Sequence, residues 1–284
     1  MMRIALAKSA VVLIILVAAF FPACPAFCGL PGPQPPSPPP VPTPPPDSKF
    51  DYVKVFPKVE GDAEQIATGT TGKDKIVMEG ATGSVSQAIQ ALEGDDWLLQ
   101  IGGEGGSDQY AFGGAGNDTI YQYGGSIYNI LSADGDSGDD TIIQVGVQEV
   151  NMLTTNGGEG ADHIEQYGGS GINYFGADGG PGDDVIAMYG GSGTNTFNYV
   201  VSPGTDLVTI LGGNGNEDTL AIYAMRQSFT LKNYLGRQLY RLGQEGSTIT
   251  VANLARIVVY SDSETPIYTW PPPVACIIEM LLLN

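Results

Sequence analysis

Aspartate recurs at 74, 96, 118, 140, 162, 184 and 206, one every 22 residues without a gap. Glycine stands two places ahead of each, at 72, 94, 116, 138, 160, 182 and 204. A large aliphatic residue stands two places behind: Ile76, Leu98, Ile120, Ile142, Ile164, Ile186 and Val208. A carboxylate in a glycine-rich turn is a candidate ligand for a hard cation, because glycine lets a turn bend its carbonyls toward the same point. The stretch GGAGNDTI, 113–120, contains the whole unit: a flexible turn, an acid and the start of an apolar run. Three columns held in register over this length mark a solenoid.

Short stacked strands must position these aspartates. Runs such as DTIYQY and DVIAMY alternate with period two, so Ile120 and its column are expected to point inward and share one core. Each unit also divides in half. Eleven residues beyond the aspartate comes Asn129, Asn151, Asn173 or Asn195, followed two later by Leu131, Leu153, Phe175 or Phe197. Gln100, Gln122, Gln144 and Gln166 form a further column, read as an amide ladder near a strand end, with a solvent-facing column as the other option. The fold class is therefore all-β: a parallel β-roll, or β-solenoid, of about seven 22-residue coils with a C-terminal β cap.

Coils of a parallel sheet lie about 4.8 Å apart, so stacked carboxylates repel one another. Only Lys73 and Lys75 lie nearby in sequence, which leaves a divalent cation as the expected neutraliser. Ca²⁺ favours carboxylate and carbonyl oxygens. GGAGNDTI, GGEGADHI and GGPGDDVI resemble the glycine-rich nonapeptide G-G-x-G-x-D-x-U-x of the RTX, or haemolysin-type, calcium-binding proteins. The resemblance covers roughly residues 70–260 and implies turns that hold Ca²⁺ through carbonyls and the aspartate. Carried onto this chain, it marks Gly113, Gly114, Gly116 and Asp118, then Gly157, Gly158, Gly160 and Asp162. It also marks Gly179, Gly180, Gly182 and Asp184, and the imperfect turn that ends at Asp140. Asp96 and Asp206 are outlying members, because their turns lack paired glycines. Units of 11 and 22 depart from the family's nine, as does asparagine in the second half. Ions are thus expected along one edge, and neutral amides along the other.

The net charge of -19, from 31 acidic and 12 basic side chains, argues against nucleic acid as a partner. Residues 1–23, with Arg3 and Lys8 ahead of AVVLIILVAAFFPA, read as a signal peptide or membrane segment. The family resembled leaves by a C-terminal secretion signal instead, so the route here is expected to differ. Residues 24–49 read as a proline-rich spacer, 50–224 as the roll and 225–265 as the β cap. Residues 266–284 read as a proline turn and an apolar tail packed on the open end of the roll. Cys24, Cys28 and Cys276 all lie outside the glycine-rich body.

No enzyme is expected. H-E-x-x-H and G-x-S-x-G are missing from the sequence, and His163 alone cannot build a zinc cluster. The expected function is a secreted or cell-surface, calcium-binding structural or adhesive module. Its partner is left open between a cell-surface polysaccharide and another protein, with the N-terminus as a membrane tether if it is retained. The alternative is a carbohydrate-binding or polysaccharide-processing solenoid. That reading would use the acid pairs Asp139–Asp140 and Asp183–Asp184 and the column Tyr123, Tyr167 and Tyr189.

Overall fold

The computed structural model describes residues 34–213, 217–224, 229–234, 237–242, 247–260 and 266–270. Residues 1–23, read as a signal peptide or membrane segment, the three cysteines and the apolar tail beyond 270 lie outside the described residues.

The chain winds as a parallel β-solenoid of two long sheets. The first contains β1 (Tyr52–Phe56), β3 (Asp74–Met78), β5 (Trp97–Ile101), β7 (Thr119–Tyr123) and β9 (Thr141–Val145). It continues through β11 (His163–Tyr167), β13 (Val185–Tyr189) and β15 (Leu207–Leu211) to β19 (Ser247–Ala252). The second contains β2 (Ala63–Thr68), β4 (Val85–Glu93), β6 (Ser107–Ala115), β8 (Tyr128–Ser137) and β10 (Val150–Glu159). It continues through β12 (Ile172–Asp178), β14 (Asn195–Val200) and β16 (Thr219–Tyr223) to β20 (Arg256–Tyr260).

Neighbouring strands are offset by one repeat, so Ile120 pairs with Ile142 and Asn151 with Asn173. One extra residue in the turn before Asp218 shifts the last steps, and Phe197 pairs with Leu220. The stretch 247–260, within the residues read as the β cap, continues the stack. Its two strands, β19 and β20, pair in parallel with β15 and β16 and form a further coil. Antiparallel strands then end both sheets. The hairpin of β17 (Phe229–Tyr234) and β18 (Arg237–Leu242) extends the first sheet, and β21 (Pro266–Trp270) extends the second. Residues 266–270, read as part of a proline turn, are thus a strand.

Alternation along each strand decides what lies inside. Ile76, Leu98, Ile120, Ile142, Ile164, Ile186 and Val208 are all fully buried. Leu131, Leu153, Phe175 and Phe197 meet them from the second sheet, and the two phenylalanine rings stack 4.6 Å apart. Gln100, Gln122, Gln144 and Gln166 are buried inside the roll and do not face solvent. From Gln122 to Gln166, each Nε2 donates to the glutamine one coil earlier at 2.8–2.9 Å and also to a carbonyl of the opposite sheet, while Gln100 donates to the Tyr110 carbonyl alone. These amides therefore bind both coil to coil and sheet to sheet, and of their polar atoms only the Gln166 Oε1 at the end of the column is buried without a partner.

Candidate functional site

The aspartates line the edge where the chain turns from the second sheet into the first. Asp96, Asp118, Asp140, Asp162 and Asp184 are at most 2% exposed. Each Oδ1 accepts the backbone N–H of the aspartate one coil earlier, at 2.6–2.9 Å from Asp74 to Asp162. The last such bond, from the Asp184 N–H to Asp206, is 3.3 Å. The Oδ2 atoms differ along the column. Thr70 satisfies Asp74, through its N–H and its hydroxyl, and Tyr199 donates to Asp206 Oδ2 at 2.8 Å. Between those ends, the Oδ2 atoms of Asp96, Asp118, Asp140, Asp162 and Asp184 are buried without a hydrogen-bond partner.

The glycines make room for those atoms. A Cβ on Gly135 would lie 2.1 Å from Asp140 Oδ2 and 2.3 Å from the Gly157 carbonyl oxygen. A Cβ on Gly157 would lie 2.3 Å from Asp162 Oδ2 and 2.4 Å from the Gly179 carbonyl oxygen. Gly113 and Gly179 are crowded by Asp118 and Asp184 in the same way. Two acceptors therefore converge beside Gly113, Gly135 and Gly157, and the Oδ2 of each pair has no donor. The next residue takes a left-handed backbone, φ +104° at Gly114 and +110° at Gly158. Asp136 and Leu92 occupy that slot in the turns of Asp140 and Asp96, at +74° and +94°, which is unusual for leucine. Gly116, Gly160 and Gly182 stand where the carbonyl of the preceding coil would meet a side chain.

Burial is the main force on these acids. It pushes Asp118 up to about 8, Asp96 and Asp184 to about 7, and Asp140 and Asp162 to about 6. The N–H donated to each Oδ1 opposes the shift, and neighbouring carboxylates add to it. The nearby lysines are paired outside the column, and of the two only Lys73 eases it, weakly and at Asp96. Lys73 pairs with exposed Asp95, and Lys75 with Asp47. The donor set, one buried carboxylate oxygen per coil and a facing carbonyl, fits a hard cation or a proton. Among the described residues, no three histidine, cysteine or carboxylate side chains gather into a cluster that could hold a metal. A bound ion would thus draw mainly on carbonyls.

The opposite edge carries the asparagines. Asn129, Asn151 and Asn173 each donate from Nδ2 to the Oδ1 of the next, at 2.7–2.8 Å, ending on Asn195. Each Oδ1 also accepts the N–H four residues back, from Gly125, Val147, Gly169 or Gly191. Asp218 closes the ladder as a pure acceptor of both Asn195 Nδ2 and the Gly213 N–H. The sequence carries that rung in GGNGNEDTL, 212–220, a variant of the asparagine half-repeat with one extra residue and an aspartate. Thr70 and Tyr199 left no signal, because each differs in type from its counterparts in the other coils, as Tyr199 does from Ala177 and Thr155.

The residues behind the carbohydrate reading are otherwise engaged. Tyr123 and Tyr167 are buried, at 7% and 6% exposure, and the Tyr123 hydroxyl donates to the Pro40 carbonyl at 2.9 Å. In the acid pairs, Asp139 accepts the Ala161 N–H and Asp183 the Thr205 N–H, each one coil later. The paired acids thus cap backbone in opposite directions along the axis. His163 lies 3.1 Å from Glu165 on the outer side. No family model, curated protein or solved structure matches this chain. Its arrangement, a parallel solenoid with a glycine-rich turn and a stacked aspartate edge, is consistent with an RTX-like β-roll.

Proposed function

We propose that this chain is an exported, non-catalytic structural or adhesive module whose aspartate edge takes up Ca²⁺, which stabilises the roll. One observation carries the reading: five consecutive coils bury an Oδ2 that no protein group satisfies, while both ends of the column are satisfied by Thr70 and Tyr199. A buried acceptor without a partner costs about 1–3 kcal/mol, and more when charged. A cation bound along the edge removes that cost in every coil. Asp96, Asp118, Asp140, Asp162 and Asp184 would hold it, with facing carbonyls such as Gly157 and Gly179 as neutral ligands. Ca²⁺ would supply positive charge there and no chemistry of its own. Few carboxylates per ion imply weak affinity, about 0.1–1 mM, in the range of extracellular modules.

The test is a Ca²⁺ titration of the full chain in chelator-treated buffer at pH 7.5, with Mg²⁺ as the control. Thermal melting is followed by circular dichroism. Millimolar Ca²⁺ is expected to raise the melting temperature and Mg²⁺ to leave it unchanged. A melting curve indifferent to Ca²⁺ would mean that protons alone satisfy the column.

A further inference from the structure

Part of the proline-rich stretch 24–49 lies within the described residues. Its described part, residues 34–46, lies along the outer face of the first sheet. Pro39, Pro42 and Pro45 are half-buried, while every residue between them is exposed. A period of three is that of a polyproline II helix, and Pro46 has φ -58° and ψ 137°, close to its ideal values. The sheet presents an apolar, aromatic patch on this side. Val77, Trp97, Leu99, Tyr123, Val145 and Tyr167 point outward along their strands and are nonetheless buried.

Two donors fix the strap. Tyr123 donates its hydroxyl to the Pro40 carbonyl at 2.9 Å, and Lys75 Nζ donates to the Pro45 carbonyl at 2.7 Å. Lys75 also pairs with Asp47 at 2.7 Å, and Phe50 packs against the patch beside β1. A polyproline II chain forms no internal hydrogen bonds, so its carbonyls are free for such donors. Aromatic rings that pack on prolines, with a hydroxyl aimed at a carbonyl, are how proline-rich segments are recognised elsewhere.

The strap is also separable. Prolines have no N–H to donate into a ladder, and the strap belongs to neither sheet. It joins β1 through the short turn Asp47–Lys49. Residues 34–46 carry no charge, so the same segment of another copy can approach this acidic body without charge repulsion of its own.

We propose that the outer face of the first sheet is a polyproline II recognition site, and that the proline strap of a second copy of this chain can replace the molecule's own. Exchange of a short element between identical chains needs no new complementarity, since the incoming segment makes the contacts already present. The tethered strap competes at an effective concentration on the order of millimolar, so exchange is favoured where copies are crowded. The inference does not depend on Ca²⁺.

The test uses the full chain and a labelled synthetic peptide of residues 34–49, read by fluorescence anisotropy. In one variant the strap is weakened by Pro39→Ala, Pro42→Ala and Pro45→Ala, with folding checked by circular dichroism. This variant is expected to bind the peptide at least tenfold more tightly than the wild type, whose own strap competes. Adding Tyr123→Phe to it is expected to weaken binding severalfold, and a peptide with the same three prolines replaced is expected not to bind. Sedimentation of the unaltered chain gives a second readout: self-association at high concentration, suppressed by excess peptide. Absence of saturable peptide binding to the weakened chain, or self-association that excess peptide leaves untouched, overturns the proposal.

Discussion

At the asparagine edge, each side chain gives a hydrogen bond to the next coil, and each after Asn129 takes one from the last, with a backbone N–H added four residues back. At the aspartate edge the same stacking leaves one buried oxygen per coil with nothing to accept. The side chains of the two columns differ in carrying NH₂ or a second oxygen, and one ladder closes on itself while the other leaves an acceptor open. A ladder of identical groups is self-sufficient only when each group both donates and accepts. Asp218 makes the same point, since a carboxylate serves the amide ladder well as its final rung, where only acceptance is needed.

The strongest way to break the contrast is to move the carboxylate across. Asn151→Asp with Asn173→Asp would remove two donors and set buried charges against acceptors, and is expected to cost about 3–5 kcal/mol. Urea denaturation at pH 7.5 in chelator measures it. Next in size is the ion itself. If Ca²⁺ binds at 0.1–1 mM, then 10 mM Ca²⁺ should add about 1.4–2.7 kcal/mol per occupied site, visible as a higher urea midpoint.

The calcium-free protein should also respond to pH. The interior aspartates have folded pKa values above the ordinary carboxylate value of 3.8, from about 6 at Asp140 to about 8 at Asp118. The folded state therefore holds their protons more tightly than the unfolded chain does. Their stabilisation is complete below about pH 4 and is lost as pH rises through about 6–8. Melting in chelator from pH 4 to 9 should show that decline, and Ca²⁺ should flatten it.

The converse exchange is milder. Asp140→Asn with Asp162→Asn supplies donors to the facing carbonyls and is expected to raise calcium-free stability by about 1–2 kcal/mol while shrinking the response to Ca²⁺. Smallest is Leu92→Gly, which relieves a left-handed leucine and is expected to gain about 0.5–1 kcal/mol, net of glycine's entropy.

The period, the inward columns and the two kinds of edge were legible in the sequence, because repetition and alternation are local properties. A residue at 120 that recurs at 142 must meet its own copy in any parallel stack. The buried glutamines were only half legible, since alternation gives their face of the strand but not what covers it. Thr70 and Tyr199 were missed for a related reason: they act at the ends of the aspartate column and differ in type from their counterparts in the other coils.

What the sequence determined by itself was the coil, the core and the stacking of like on like. Only the tertiary structure decided which carboxylate oxygens lack partners, because that depends on where N–H groups one coil away point. It also decided that the prolines lie on the roll. Their stiffness is written in the residues, but the aromatic face that holds them is assembled from strands that meet only when the chain is wound.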